Sequence, residues 1–319
     1  MIKRKTNINS QMNWIKQGHI FSPKDNYSWM YHYASQVCSI EFDNFIRIYF
    51  TTRSKIDNKG YYETKITFLD CDKIDPTKII YIHNKPLLLL GKPGTFDEHG
   101  TMMCEIIFHE NKYWLYYLGW QRSSTVPYIN TLGLALSEDG VNFKKISEGP
   151  IIGVSKDIPF GIAKASILIE DDQFNMWYSH YNSWIPSNDS FKPTYDIRYA
   201  TSLNGIDWDF KDICITSTSN KAVAAPCVRK INNTYHMLYS YREEVNENGK
   251  SGSYRIGYAT SNNKTEWNLL EDQVYISEEG WDSEMICYPN ILQLKNKLLL
   301  FYSGNQYGKE GFGYAISNI

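Results

Sequence analysis

Residues 236–242 read HMLYSYR, and residues 256–267 read IGYATSNNKTEW. The first stretch is aromatic and branched aliphatic, the composition of a buried strand. The second carries a similar run into a polar turn and ends on a tryptophan. The pattern recurs. RIYFTTR (47–53), WLYYLGW (114–120), NMWYSHY (175–181) and LLFYSGN (299–305) match the first stretch. Their aligned aromatic residues, Phe50, Tyr117, Tyr178, Tyr239 and Tyr302, are spaced by 67, 61, 61 and 63 residues. LGLALSEDGVNF (132–143), IRYATSLNGIDW (197–208) and FGYAIS (312–317) match the second. Asp-Gly and Asn-Gly accept positive φ cheaply, so Ser-x-Asp/Asn-Gly predicts a hairpin. The aromatic after it (Phe143, Trp208, Trp267) starts a further strand, and one more precedes each first stretch, at 34–41, 102–109, 163–170, 224–230 and 288–294.

Each unit is thus a four-stranded antiparallel meander of roughly 60 residues, repeated five times. That predicts an all-β chain folded as a five-bladed β-propeller, with strands A to D running outward in each blade. Two packed β-sandwiches are the alternative. The period exceeds that of WD40 repeats, and no WD signature is present. The last unit ends after its strand C. Trp14–Phe21 resembles the outer strand that begins at Trp267, so residues 13–21 are expected to close the fifth blade and cover its edge. Blades are expected at 30–90, 98–155, 160–218, 222–277 and 284–319 with 13–21, in a single domain.

The chain has 319 residues, 42% of them hydrophobic, which suffices for a sizeable core. Thirty-three Lys+Arg against 35 Asp+Glu give a net charge of −2, which excludes a general nucleic-acid binder. No apolar run approaches the roughly 18–20 residues that cross a bilayer. Residues 1–16 are polar and lack the apolar stretch of a signal peptide. A cytoplasmic protein without a membrane partner is expected; the oligomeric state is not encoded. Six scattered cysteines form no C-x-x-C pair and read as free thiols. No His pair has zinc-ligand spacing, and no dinucleotide or phosphate-loop fingerprint occurs, so neither a metal nor a cofactor is expected. Aromatic residues reach 15%, enough both to fill β-cores and to offer stacking surfaces for sugars.

In a propeller the start of strand A, the end of strand B, the B–C loop and the D–A loop share the face where the central funnel opens. Four B–C loops are expected to be long and polar, at 51–62, 119–131, 180–195 and 241–253. The B segments end on Arg53, Trp120, Tyr181, Arg242 and Asn305, which should ring the funnel. Two guanidiniums, two rings and an amide suit a ligand with hydroxyls or an anionic group; ion pairs with loop carboxylates would explain the arginines equally well. Lys164 and Tyr288 open two A strands, and His180 and Trp184 lie in or beside the third B–C loop. They complete the substrate-binding candidates.

The D–A loops contribute acids, in GTFDEHG (94–100) and GWDSEM (280–285). Glycosidic cleavage needs one carboxyl to protonate the leaving oxygen and another as nucleophile or base. Asp97, Asp282 and Glu284, with His32 near the first A strand, are therefore the catalytic candidates. Asp97 and Asp282 each follow an aromatic, which can exclude water and raise a carboxyl pKa. Such acids also cap turns or bind arginines. On the catalytic reading, Asp97→Asn abolishes turnover with little change in Tm.

These repeats resemble the five-bladed glycosidase superfamily, which includes arabinanases, invertases and mannoside phosphorylases. The Trp-Met-Tyr near the start, Gly-Thr-Phe-Asp (94–97), Ser-Glu-Gly-Pro (147–150), Trp-Asp-Ser (281–283) and Gly-Phe-Gly-Tyr-Ala (311–315) look like a propeller group found beside surface-polysaccharide genes. That group is similar to the N-terminal region of glucosamine inositolphosphorylceramide transferases. The superfamily's acids sit at the starts of A strands. Here those places read Ala34-Ser-Gln36, Met102-Met-Cys104, Ala163-Lys-Ala165 and Ala224-Ala-Pro226, so its acid triad does not carry over. The resemblance implies a carbohydrate-active enzyme, glycoside hydrolase-like or glycosyl-transferring, with a sugar or nucleotide-sugar ligand in surface-polysaccharide metabolism. The alternative is a glycan-binding propeller without catalysis.

Overall fold

A computed structural model describes residues 12–23, 27–187, 190–217, 222–242 and 252–318. The described chain is almost wholly strand and turn. β1 (Ile15–Phe21) comes first. Unit 1 then contains β2 (His32–Glu41), β3 (Ile46–Arg53), β4 (Thr64–Cys71) and β5 (Ile79–Ile82). Unit 2 contains β6 (Gly100–His109), β7 (Lys112–Arg122), β8 (Tyr128–Ser137) and the short β9 (Lys144–Lys145). Unit 3 contains β10 (Ile162–Glu170), β11 (Gln173–Ser187), β12 (Ser190–Ser202) and β13 (Asp209–Ile215). Unit 4 contains β14 (Ala222–Ile231), β15 (Thr234–Arg242), β16 (Arg255–Ser261) and β17 (Asn268–Val274). Unit 5 contains β18 (Cys287–Gln293), β19 (Lys297–Ser303) and β20 (Phe312–Asn318), and β1 pairs antiparallel with β20 as its fourth strand. Every unit is an antiparallel meander; one parallel pair, Thr64 opposite Gly100, joins units 1 and 2 into one sheet. No helix among the described residues is long and apolar enough to cross a membrane.

The repeated sequence is explained by contacts between successive units. Ser137 Oγ accepts the Gly140 amide at 3.0 Å, and Ser202 Oγ accepts that of Gly205 at 2.9 Å, so the serine closes each turn. The turn carbonyl then receives a bond from the preceding unit: Tyr49 to Gly140 at 2.8 Å, Tyr116 to Gly205 at 3.0 Å and Trp177 to Lys264 at 2.8 Å. The hydroxyl after the aligned aromatic does the same nearer the middle. Thr51, Ser179 and Ser240 accept the Met103, Ala225 and Tyr288 amides of the next unit, each at 2.8 Å. Cys104 and Cys227 Sγ play this part for Ala165 and Ile291, both at 3.1 Å. The cysteines are free thiols; Cys38, Cys104 and Cys227 accept bonds, and Cys38, Cys71 and Cys214 donate to backbone carbonyls.

The first strands touch in the order β2, β6, β10, β14, β18, and β18 returns to β2, where Asn290 Oδ1 accepts the Ser39 amide at 3.0 Å. The core is divided accordingly. Its main clusters lie between units 1 and 2, 2 and 3, 3 and 4, 4 and 5, and 5 and 1. In the last of these, Phe21, Phe50 and Phe312 bring β1, unit 1 and unit 5 together.

Two expected loops are corrected. Most of 119–131 and nearly all described residues of 180–195 are paired strand. Tyr181 lies opposite Tyr195 and Ile185 opposite Lys192, so backbone pairing continues well beyond the sheet body and makes an arm. Polar residues there misled the reading, because an arm pairs its backbone whichever way its side chains point.

Candidate functional site

The five inner strands surround a cavity of about 310 Å³. Each of these strands carries a register shift at its inner end, and Gln36, Lys164, Ala225 and Tyr288 sit at four of them and line the cavity. A bulge re-aims side chains in this way. Gln36, Ala225 and Tyr288 are left-handed, with φ of 53°, 50° and 55°. Tyr307, also lining the cavity, has φ 63°. Non-glycine residues tolerate that region only when their surroundings hold them there.

Four cations line the cavity: Arg53, Lys164, Lys192 and Arg242. Arg53 lies 3.7 Å from the Tyr33 ring centroid and 4.6 Å from that of Tyr62, which in turn stacks on Trp120 at 5.4 Å. Arg242 is 3% exposed. Its Nη2 donates to the Pro193 carbonyl at 2.5 Å, and its buried Nε has no partner among the described residues. Burial opposes its charge, the tyrosines around it favour the charge, and the net pKa shift is upward. Lys164 Nζ donates to the Cys104 carbonyl at 2.8 Å and to Cys38 Sγ at 3.1 Å. Burial again opposes the charge, Cys38 and Glu105 outweigh it, and its pKa is raised. No described carboxylate lies within ion-pair distance of Arg53, Lys164 or Arg242, and no Asp or Glu is among the described residues lining the cavity.

Seven tyrosines line the cavity as well. Burial pushes the hydroxyl pKa values of Tyr181, Tyr195 and Tyr288 far up, so they stay protonated. Asn130 Nδ2 donates to the Tyr181 hydroxyl at 2.8 Å, leaving that hydroxyl's own proton to be donated elsewhere. The arm of β11 and β12 brings Phe191, Lys192 and Pro193 to the cavity.

Of the sequence-based candidates, Arg53, Trp120, Lys164, Tyr181, Arg242 and Tyr288 meet in this cavity. Trp184 packs against Tyr128 and Tyr181 at 5.3 and 5.7 Å, supporting the wall. The other candidates lie elsewhere. Asp97 is 1% exposed; it pairs with Lys145 Nζ at 2.5 Å and accepts the Tyr117 hydroxyl at 3.1 Å. Asp282 repeats this arrangement with Lys16 at 2.6 Å and Tyr302 at 2.9 Å. Each aspartate therefore ties the segment before a unit to that unit's second and outer strands. Glu284 is exposed. Asn305 accepts the Glu284 and Met285 amides and donates to the Gly280 carbonyl, holding that turn. His32 rests on the Tyr31 ring at 4.3 Å. His180 faces a separate groove on the other side of β11, where burial lowers its pKa to about 4.

Sequence reasoning missed Tyr62, Tyr128, Asn130, Lys192, Tyr195, Tyr254 and Tyr307. Strand pairing held the signal for some of them: Asn130 is opposite Trp120, and Tyr195 is opposite Tyr181. The start of each third strand thus faces the same opening as the end of the second.

A protein of Mycobacterium tuberculosis (strain CDC 1551 / Oshkosh), uncharacterized protein MT1551, is 32% identical over 312 residues, covering 96% of this chain and 99% of its own length. The chain belongs to its family. The 1,2-beta-oligomannan phosphorylase of Thermoanaerobacter sp. (strain X514) is 26% identical over 168 residues, 51% of this chain and 53% of that protein. A glycosyl hydrolase structure from Bacteroides ovatus superposes with a TM-score of 0.75 at 14% identity, covering 98% of this chain and 96% of its own. At that identity the likeness shows a shared glycosidase-type all-β fold. No family model matches the chain.

Proposed function

We propose that this chain is a single five-bladed propeller and a carbohydrate-active enzyme. Its central cavity holds a sugar bearing a phosphate, as a sugar phosphate or nucleotide sugar. The observation that carries this reading is the lining: four cations and no carboxylate among the described residues. A sugar alkoxide leaves poorly unless an acid protonates it, which is why glycosidases carry carboxyl groups. A phosphate departs, or attacks, as an anion; it needs positive charge and hydroxyl donors where its charge develops. Arg242, Lys164, Arg53 and the protonated tyrosines provide both. Trp120, backed by Tyr62, offers a stacking face for the sugar. The phosphorylase among the relatives, and the resemblance to transferase regions, support chemistry at a sugar–phosphate bond. A role in surface-polysaccharide metabolism rests on that resemblance.

The lack of carboxylates also supports a second reading, a binding protein without turnover. One experiment addresses both. Orthophosphate, sugar 1-phosphates, nucleotide sugars and neutral aryl glycosides are screened by thermal shift, with products followed by mass spectrometry. The first reading expects stabilisation by phosphate-bearing ligands, its loss in Arg242→Leu, and a transferred or phosphorolysed sugar. Binding without product selects the second. Hydrolysis of neutral glycosides with no response to any phosphate compound overturns both.

A further inference from the structure

Unit 3 lacks a feature that units 2 and 5 share. In units 2 and 5 an aromatic ring fills a slot floored by two glycines. Phe96 lies over Gly119 and Gly133, where an added Cβ would come within 2.2 and 2.7 Å of its ring; the Trp281 ring lies over Gly304 and Gly313, at 2.4 and 2.5 Å. The ring stacks on the aligned tyrosine, Phe96 on Tyr117 at 5.7 Å and Trp281 on Tyr302 at 5.1 Å. In unit 3 the two glycine positions are His180 and Arg198, and the aromatic of the preceding segment, Phe160, is 40% exposed and does not line the slot. A groove is left between Tyr178, His180, Asn182, Asp196 and Arg198 on one side and Lys156 to Pro159 and the outer strand β13 on the other.

We infer that this groove is a second ligand site, separate from the central cavity, and that it takes an uncharged pyranose residue of a glycan. Two buried nitrogen atoms here lack partners among the described residues, one on the buried His180 and one on Arg198, whose side chain is otherwise partly exposed. His180, 3% exposed, has an unbonded Nδ1, and Arg198 has an unbonded Nε. Buried polar atoms are rarely left so without a ligand or water to meet them. Arg198 is loosely held besides, 3.8 Å from Asp196 and 3.4 Å from Asn182. The charges balance: Lys156, Arg198 and Lys211 face Asp157, Asp196 and Asp209, each cation within ion-pair distance of an acid. His180 is neutral, since burial holds its pKa near 4. The central cavity draws an anion, whereas this groove offers donors and acceptors in equal measure to a neutral polyol. Arg198, Asn182 and Asp196 are planar groups suited to vicinal hydroxyls, and Phe210, 5.8 Å from Tyr178, offers an apolar face. The inference does not depend on the reading of the central cavity.

The test uses methyl α- and β-glycosides of glucose, galactose and mannose, with adenosine and uridine as competitors, followed by saturation-transfer NMR on the full chain. At least one glycoside is expected to bind, with binding unaffected by saturating orthophosphate or by Arg242→Leu. Asn182→Ala, a half-exposed position that folds without difficulty, should weaken it about tenfold, the worth of a hydrogen bond to a buried polar group. Arg198→Gly, which restores the glycine found in units 2, 4 and 5, should abolish it. The inference is overturned if no glycoside binds, if a nucleoside binds instead, if both variants bind as the parent does, or if Arg242→Leu removes the binding.

Discussion

Asp97 separates a structural reading of the D–A acids from a catalytic one. In Asp97→Ala the Tyr117 hydroxyl, on a side chain 1% exposed, loses its acceptor. An unpartnered buried hydroxyl costs about 1–3 kcal/mol. The ion pair adds less. The Lys145 side chain is 22% exposed and can turn its ammonium to water, so that loss is about 1 kcal/mol. The sum is about 2–4 kcal/mol, and in a chain of this size it lowers Tm by roughly 3–6 °C. Unit 3 shows the remedy: Tyr178 there packs against Phe210, with Ile158 in the same apolar cluster and no ion pair. Asp97→Leu with Lys145→Phe should therefore recover at least half of the lost Tm, as apolar replacement of a buried pair commonly does. Calorimetry on both variants, with orthophosphate binding alongside, decides the matter. Binding should be unchanged, because Asp97 lies outside the cavity. An unchanged Tm together with lost binding or turnover would refute this reasoning and return Asp97 to the chemistry.

Arg242→Leu should weaken binding of a phosphate-bearing ligand by about 10–100-fold, the worth of one charge-assisted hydrogen bond, measured by isothermal titration. Gly133→Ala should destabilise by about 1–3 kcal/mol, because its Cβ would lie 2.5 Å from the Tyr117 ring, while Gly149→Ala, with nothing within 4 Å, should be neutral in the same denaturant titration. His180 gives a pH dependence. Its folded pKa of about 4 lies below the unfolded value of about 6.5, so the unfolded state binds the proton first. Stability should be flat above pH 6.5 on its account and fall as pH drops from 6.5 toward 4; His180→Gln should flatten that slope, read from urea midpoints across the range.

The repeat was legible because it serves local and neighbour needs at once. The serine closes its own turn, the aligned hydroxyl bonds the next unit, and the small residue after the tyrosine lets units approach. The turn recurs in units 2 to 4 and the hydroxyl bond in units 1, 3 and 4, and both leave a periodic mark. Arg53, Trp120, Tyr181 and Arg242 were legible for the same reason, standing at one offset in successive units. Asp97 and Asp282 stand at one offset in two of the units, each beside a lysine and a tyrosine.

The sequence by itself determined the strands, their order, the turns and the pairing of residues 15–21 with the last strand, since each follows from hydrophobic alternation and turn chemistry within about 60 residues. Only the tertiary structure decided which polar side chains meet. Bulges rotate individual residues of the inner strands toward the cavity, and the arm of unit 3 folds Lys192 and Pro193 back over it. Whether an aspartate faces a cavity or a lysine depends on packing between units, which strand periodicity does not encode. Charge and burial at a site belong to the assembled set of neighbours, and those neighbours come from all five units.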